Sequence, residues 1–249
     1  MTTPALIWAA AVLFTGAVLQ SAAGFGFGLF AVPALLVLGF PLPQAVMLCV
    51  VGSAVQKVLA VWSLREHVPW KGLRLVVAYG LLTFPLGLWL MFHLTEAGKG
   101  VAGAVVAVLI LGLLLLRRGV FPEEREHVPA VWGISAGAVS GVLNGLANIG
   151  GPPVVLWSLA HKWSNPRLRI TTLAQSLVFV PFQMVLIPVM FGAPALNALL
   201  WGLAFSPLVI LGTRAGLFLG NRVPVPLLRL GMEILLVLMA VSAARPLWE

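Results

Sequence analysis

Two long stretches without a single charged residue constrain the fold of this chain most. They run from Met1 to Gln56 and from Ile170 to Thr213. Each is longer than the about 20 apolar residues that an α-helix needs to cross a bilayer. Because only 9% of all residues are charged and 61% are hydrophobic, a water-soluble globular domain is excluded. The sequence therefore predicts an all-α, polytopic membrane protein.

The charged residues have a positive balance, with 15 Lys and Arg against 7 acidic residues. In a membrane protein this excess is typical of loops that face the anionic cytoplasmic leaflet, so we expect membrane lipids and no nucleic acid as partners. The single cysteine, Cys49, excludes a disulfide framework or thiolate metal cluster within one chain. The histidines have no metal-ligand spacing, and no hydrolase or nucleotide motif is present. We therefore expect neither a metal, nor another cofactor, nor an enzyme.

Eight apolar segments lie along the chain, and two of them are too long for one straight helix. The first would be roughly 54 Å long, against a hydrocarbon core of about 30 Å. Glycine and proline interrupt both long segments, at Gly24–Gly28 in the first and at Asn148–Pro153 in the fifth, so we expect each helix to break there. The segments are Ala5–Phe40, Gln44–Trp62, Leu73–Phe92, Val101–Leu116, Ala130–Ala160, Ile170–Phe191, Ala195–Thr213 and Pro226–Ala244.

The two breaks superpose at an offset of 124 residues, which indicates an internal duplication. We therefore predict two membrane repeats of about four helical segments each, at residues 1–118 and 130–249, joined by a charged cytoplasmic connector at 119–129. The matched pairs are Gln20 with Asn144, Gly24 with Asn148, Gly26 with Gly150, Gly28 with Pro152, and Gly52-Ser53 with Gln175-Ser176.

The distribution of Lys and Arg favours an inverted arrangement of the two repeats. If each long segment returns to its own side of the membrane, twelve basic loop residues share one side and two remain on the other. A single crossing per segment would instead place seven on each side. The first count fits the positive-inside rule, and it implies an odd number of crossings per repeat. Re-entrant hairpins and paired short spans fit this count equally well.

Matching breaks in inverted repeats predict a binding site for a small anion. Non-helical backbone at membrane depth is tolerated only where it is buried in protein or lines a cavity. The half-helices that begin after each break would direct their partially positive N-termini at the ligand. Leu29–Leu38 and Pro152–Ala160 are the expected half-helices. The alternative is that the glycines serve close helix packing and that the amides bridge helices.

Two ionisable residues inside apolar segments complete the predicted machinery. Lys57 is a candidate anion ligand, with a side chain that reaches the membrane surface as the alternative. Glu233 is the candidate for coupling to protons, with an ion pair to Arg229 as the alternative. The candidate substrate-binding residues are Gln20, Ser21, Gly24, Phe25, Gly26, Phe27, Gly28, Lys57, Asn144, Asn148, Ile149, Gly150, Gly151, Gln175 and Ser176.

The glycine run Gly24–Gly28 with Pro33, repeated as Asn148–Pro153 after a charged centre, resembles the TauE/SafE family of sulfite exporter-like permeases. The resemblance covers nearly the whole chain. It implies a multi-pass protein of the bacterial or archaeal cytoplasmic membrane that moves sulfite, thiosulfate, sulfoacetate or a related anion by secondary transport. A passive anion channel and a non-transporting membrane scaffold are the alternatives. The direction of transport and the formation of a homo-oligomer stay open.

Overall fold

The computed structural model describes residues 3–23, 26–119 and 128–220, together with 222 and 242. Within these residues it contains ten α-helices and one short 3₁₀-helix, which confirms the all-α prediction. The helices are α1 (Thr3–Ala23), α2 (Phe27–Val37), α3 (Leu42–Ser63), the 3₁₀-helix (Arg65–His67), α4 (Trp70–Glu96), α5 (Lys99–Gly119), α6 (Ala130–Ala147), α7 (Gly151–Leu159), α8 (Asn165–Phe191), α9 (Ala193–Ala204) and α10 (Ser206–Gly220).

The helices have the lengths and composition of a protein that crosses the membrane several times. By these criteria α1, α3, α4, α6 and α8 are candidate spans, and α9 with α10 would form a sixth as one bent span. The predicted last segment, Pro226–Ala244, and most of the predicted connector at 119–129 lie outside the described residues.

Both long segments break where glycine, asparagine and proline interrupt them. Gly26 precedes α2 with a φ of 107°, and Asn148 ends α6 with a φ of 54°. Both angles lie in the left-handed region, which glycine and, to a lesser extent, asparagine adopt readily. With 11 and 9 residues, α2 and α7 are about 16 and 13 Å long. Each therefore covers about half of a hydrocarbon core.

The seventh segment differs from its prediction as one helix. It is divided at Phe205 into α9 and α10, which are inclined to each other by 53°. Pro207 in the first turn of α10 explains the break, because its ring nitrogen has no hydrogen to donate to the carbonyl of residue 203. Pro85, which the comparison of the two repeats matches with Pro207, lies inside the continuous helix α4.

Glycine allows two pairs of helices to pack with their backbones close together. On α6, a Cβ at Gly141 or Gly145 would overlap a carbonyl oxygen of α4, and Thr83 of α4 donates a hydrogen bond of 2.7 Å to the carbonyl of Ala138. On α10, a Cβ at Gly216 would overlap the backbone of α1. Small residues of this kind let membrane helices approach closely. As a result, α6 is fixed against α4, and α1 against α10.

Candidate functional site

The two breaks meet at a small polar cavity. Gly28 at the start of α2 lies so close to Asn148 that a Cβ at Gly28 would overlap the carbonyl oxygen of Asn148. Beside this crossing point lies a cavity of about 50 Å³, which has room for a few water-sized groups. Its walls come from α1, α2, α3, α7, α8 and the second break. The lining residues are Gln20, Gly26, Phe27, Gly28, Leu29, Ser53, Lys57, Asn148, Ile149, Gly151, Pro152, Thr172, Leu173 and Ser176.

The N-terminus of α2 forms one wall of the cavity. Its first three residues, Phe27, Gly28 and Leu29, all line the space. The N–H groups of the first turn of a helix have no acceptor within that helix. Together with the helix dipole, they place partial positive charge on this wall. Such a helix end is well suited to an anion.

The N-terminus of α7 forms a second wall with fewer backbone donors. Gly151 and Pro152, its first two residues, line the cavity. Proline has no N–H, so Pro152 and Pro153 leave Gly151 as the N–H donor among the first three residues of α7. Proline is also preorganised for the first turn of a helix, which explains why α7 begins here. This wall therefore depends on its dipole and on nearby side chains.

Lys57 of α3 supplies the full positive charge of the site. It is only 5% exposed and lines the cavity, so the alternative of a side chain that reaches the membrane surface is wrong. Its ammonium nitrogen lies 3.4 Å from Oδ1 of Asn148, while Nδ2 of Asn148 lies 3.4 Å from Oγ of Ser53. Within the described chain no carboxylate is paired with Lys57. The cation is thus buried with a neutral amide as its hydrogen-bond partner.

A buried serine holds the second break in place from behind. The hydroxyl of Ser140 donates a hydrogen bond of 2.6 Å to the carbonyl of Gly150 and accepts bonds from Asn144 and Gln175. The side-chain amide of Gln183 in turn donates to the carbonyl of Asn144 at 2.7 Å. This network, which we call the Ser140 hub, connects α6 and α8 to the residue that precedes α7.

Packing of a phenylalanine ring holds the first break. Phe27 is 2% exposed, and its ring lies against the surface of α1 and α3 where both helices lack a side chain. A Cβ would lie 3.5 Å from this ring at Gly16 and 3.0 Å from it at Gly52. Because the ring fills this space, α2 is fixed against α1 and α3 by apolar contact.

A second polar cluster connects α1, α3 and α10 next to the first break. Nε2 of Gln56 lies within 3.1 Å of the carbonyl of Ala17 and the hydroxyls of Ser21 and Thr213. Arg169 of α8 approaches the carbonyl of Ser21 at 3.5 Å. Ser21 therefore ties helices together and does not line the cavity.

The structure brings most of the predicted site residues together. Those in the cavity wall are Gln20, Gly26, Phe27, Gly28, Lys57, Asn148, Ile149, Gly151 and Ser176. Four predicted residues lie outside the wall: Ser21 contacts Gln56, and Asn144, Gly150 and Gln175 belong to the Ser140 hub. Gly24, Phe25 and Glu233 lie outside the described residues.

Five lining residues were absent from the prediction. Leu29, Pro152 and Leu173 are apolar neighbours of predicted positions. Ser53 and Thr172 are hydroxyl residues inside apolar helices, where such residues commonly bond to their own backbone. Ser53 had one available signal, because it matches Ser176 in the superposition of the repeats.

These features define a helical, multi-pass membrane protein with a polar, cationic cavity between two broken helices. The chain matches the family described as Sulfite exporter TauE/SafE over residues 8–243. It therefore belongs to this family of membrane transporters, as its glycine-rich breaks predicted. No curated protein and no solved structure matches the chain.

Proposed function

We propose that the cavity binds a small anion and that the protein carries this anion across the membrane. The observation that carries the proposal is the buried ammonium of Lys57, which faces the cavity and has no carboxylate partner in the described chain. An isolated charge in a low-dielectric environment is costly. A bound anion would offset this cost, and the neutral amide of Asn148 offsets only part of it.

The neutral groups around Lys57 also favour an anion. The helix ends of α2 and α7 direct N–H groups and partial positive charge at the cavity. Gln20 adds a side-chain amide. Ser53 and Ser176 add neutral hydroxyls, which donate to the carbonyl of Val50 and to Oε1 of Gln175. Among the described lining residues there is no carboxylate that would repel an anion. Every polar contribution to the wall is therefore neutral or positive.

A sulfur oxyanion is the substrate that fits this site and the family best. Sulfite, thiosulfate and small sulfonates such as sulfoacetate have several oxygen atoms that can accept hydrogen bonds from different directions at once. Donors from α2, α3, α7 and α8 around one small space match this chemistry. The family is described as one of sulfite exporters. We place the protein in the cytoplasmic membrane of a bacterium or archaeon.

The packing of the helices supports two inverted repeats, 1–118 and 130–249. The broken helix of each proposed repeat packs against a helix from the later part of the other repeat, α1 against α10 and α6 against α4. This reciprocal arrangement is expected when two copies are related by a pseudo-two-fold axis. The N-termini of both half-helices line the same cavity, as this arrangement requires.

Flux of ³⁵S-labelled sulfite into proteoliposomes tests the proposed function. We expect uptake by the wild-type protein and at least a tenfold loss in Lys57→Gln, because the amide removes the charge of the site. Lys71→Gln is the matched control, since Lys71 is an exposed lysine at the start of α4, and it should retain the wild-type rate. Equal flux in Lys57→Gln and the wild type would contradict the proposal.

Accumulation against a gradient distinguishes a secondary transporter from a passive anion channel. We propose coupling to protons through Glu233. An imposed pH gradient should then drive sulfite above its equilibrium level in the wild type and fail to do so in Glu233→Gln. Uphill accumulation by Glu233→Gln would remove this coupling role, while flux that only equilibrates in the wild type would favour the channel.

A further inference from the structure

Thr171 and Thr172 are adjacent buried threonines in α8 that use their hydroxyls differently. Oγ1 of Thr171 donates a hydrogen bond of 2.6 Å to the carbonyl of Arg167, one turn earlier. This is the usual bond of a threonine inside a helix. Thr172 is only 5% exposed, yet its Oγ1 has no hydrogen-bond partner among the described residues. A buried hydroxyl without a partner is costly and needs an explanation.

The position of Thr172 in the cavity wall supplies this explanation. Thr172 lines the cavity together with Ser176, one turn further along α8. Its methyl group lies toward α7, where a Cβ on Gly151 would be 3.4 Å from the methyl carbon. Thr172 therefore joins the N-terminus of α7 and Lys57 around the same space.

The other buried side-chain atoms without a hydrogen-bond partner among the described residues do not share this property. Two of them are the amide oxygens of Gln56 and Gln183, which can only accept hydrogen bonds. The third is the hydroxyl of Ser158, which is not in the cavity wall. Among the fully buried side-chain atoms without a partner in the described residues, Oγ1 of Thr172 is thus the one hydroxyl whose residue lines the cavity.

We infer that the Thr172 hydroxyl is a substrate ligand that donates a hydrogen bond to the bound anion. The inference rests on the proposed function, because it assigns a further donor to the same anion site. It gives α8 a second hydroxyl at the site beside Ser176, one that has no partner within the described residues. Without the anion, the hydroxyl is a donor that the fold leaves unused.

Binding of ³⁵S-sulfite to the purified, detergent-solubilised protein tests this role with three variants. Thr172→Val replaces the hydroxyl by a methyl group of similar size, and should weaken binding by about ten- to a hundredfold, the range for a hydrogen bond to a charged group. Thr172→Ser restores a hydroxyl and should recover most of the affinity. The matched control, Thr171→Val, should bind sulfite like the wild type.

Thermal stability without sulfite gives a second readout that a purely structural role would not produce. Thr172→Val removes an unpartnered buried hydroxyl, so it should unfold at or above the wild-type temperature. Thr171→Val removes a satisfied hydrogen bond and should unfold at a lower temperature. Weaker binding together with unreduced stability in Thr172→Val would support the inference.

The possible failures are distinguishable. If the wild type binds sulfite and Lys57→Gln does not, but Thr172→Val binds as tightly as the wild type, the role of Thr172 is overturned and the proposed function stands. A loss of stability in Thr172→Val equal to that in Thr171→Val would also overturn it, because the hydroxyl would then have a structural partner. If the wild type itself binds no sulfite, sulfite as the ligand fails, and the role of Thr172 fails with it.

Discussion

The two breaks lie at matched positions in the sequence but are held by different chemistry. At the first, a phenylalanine ring fills the space against Gly16 and Gly52. At the offset of 124 residues Gly16 corresponds to Ser140, and Gly52 is matched to Gln175. In the second break these two residues therefore form a polar hub where the first break has an aromatic ring.

The two breaks therefore supply different groups to the proposed anion site. The first break contributes backbone, with the N–H groups of three successive lining residues at the start of α2. The second break has prolines at two of the corresponding positions and contributes the amide of Asn148, which contacts Lys57. The proposed duplication accounts for where the helices end, while each break is stabilised by different groups.

The largest expected effect comes from removing the aromatic ring that packs at the first break. Phe27→Ala removes a ring that is 2% exposed, and we expect it to destabilise the protein by about 3–5 kcal/mol, as for other large-to-small core substitutions. The measurement is the unfolding of purified protein in detergent. Phe27→Leu, which retains most of the apolar volume, should lose less. Similar stability of Phe27→Ala and the wild type would show that apolar packing does not hold this break.

The next effect is a contrast between corresponding positions. Ser140→Ala removes the hydrogen-bond partner of the Gly150 carbonyl and of the Gln175 amide. It should lower the free energy of unfolding by about 1–3 kcal/mol. Gly16→Ala adds a methyl group at an ordinary contact distance of 3.5 Å and should be neutral or slightly stabilising in a helix. The same unfolding measurement applies to both variants. An equal loss in the two would contradict the different roles of the breaks.

A smaller effect is expected when Asn148 of the second break is replaced by glycine, the residue at the matched position of the first break. Asn148→Gly matches Gly24 and preserves the left-handed backbone, but it removes the amide that contacts Lys57. We expect the protein to fold and its sulfite affinity to fall by about three- to tenfold. Asn148→Ala should lose stability as well, because alanine is strained at a φ of 54°. Unchanged sulfite affinity in Asn148→Gly would show that this amide does not position Lys57.

The smallest effect concerns the far end of α7. His161, in the loop after α7, stacks on Trp163 with ring centroids 4.2 Å apart, and burial lowers its pKa below the ordinary value of 6.5. The hydrogen bond to the carbonyl of Trp157 opposes this shift, and the charge of Arg167 adds to it. The unfolded chain therefore binds more protons, and this group's contribution to stability decreases as the pH falls below about 6.5. In His161→Gln the unfolding temperature should fall less between pH 7 and pH 5 than in the wild type. The same fall in both proteins would show that another group causes the pH dependence.

The sequence was sufficient to predict the helical membrane fold and the position of both breaks. A cluster of glycine, asparagine or proline within a few residues marks where a helix must end, and α2 and α7 begin within two residues of their predictions. The same rule did not predict the break at Phe205, because Pro85 and Pro207 look alike in the sequence and only one of them interrupts its span.

The sequence was less informative about which polar residues face the cavity. Asn144 and Gln175 are as buried and polar as Asn148, but their hydrogen bonds are directed to Ser140. Composition indicates that such a group needs a partner and does not say on which side the partner lies. Thr172 was missed for the opposite reason, because the hydroxyl of a threonine in an apolar helix ordinarily bonds to a backbone carbonyl of the same helix.

The most direct test of an anion site at Lys57 is thermal unfolding of the wild type and Lys57→Met with and without sulfite. Without sulfite, Lys57→Met should be at least as stable as the wild type, because an apolar side chain replaces a buried charge that lacks a counter-ion. Sulfite should raise the unfolding temperature of the wild type and leave that of Lys57→Met unchanged, since only a bound ligand stabilises the fold. An equal increase in both proteins, or a less stable Lys57→Met together with a wild type that does not respond to sulfite, would contradict the account.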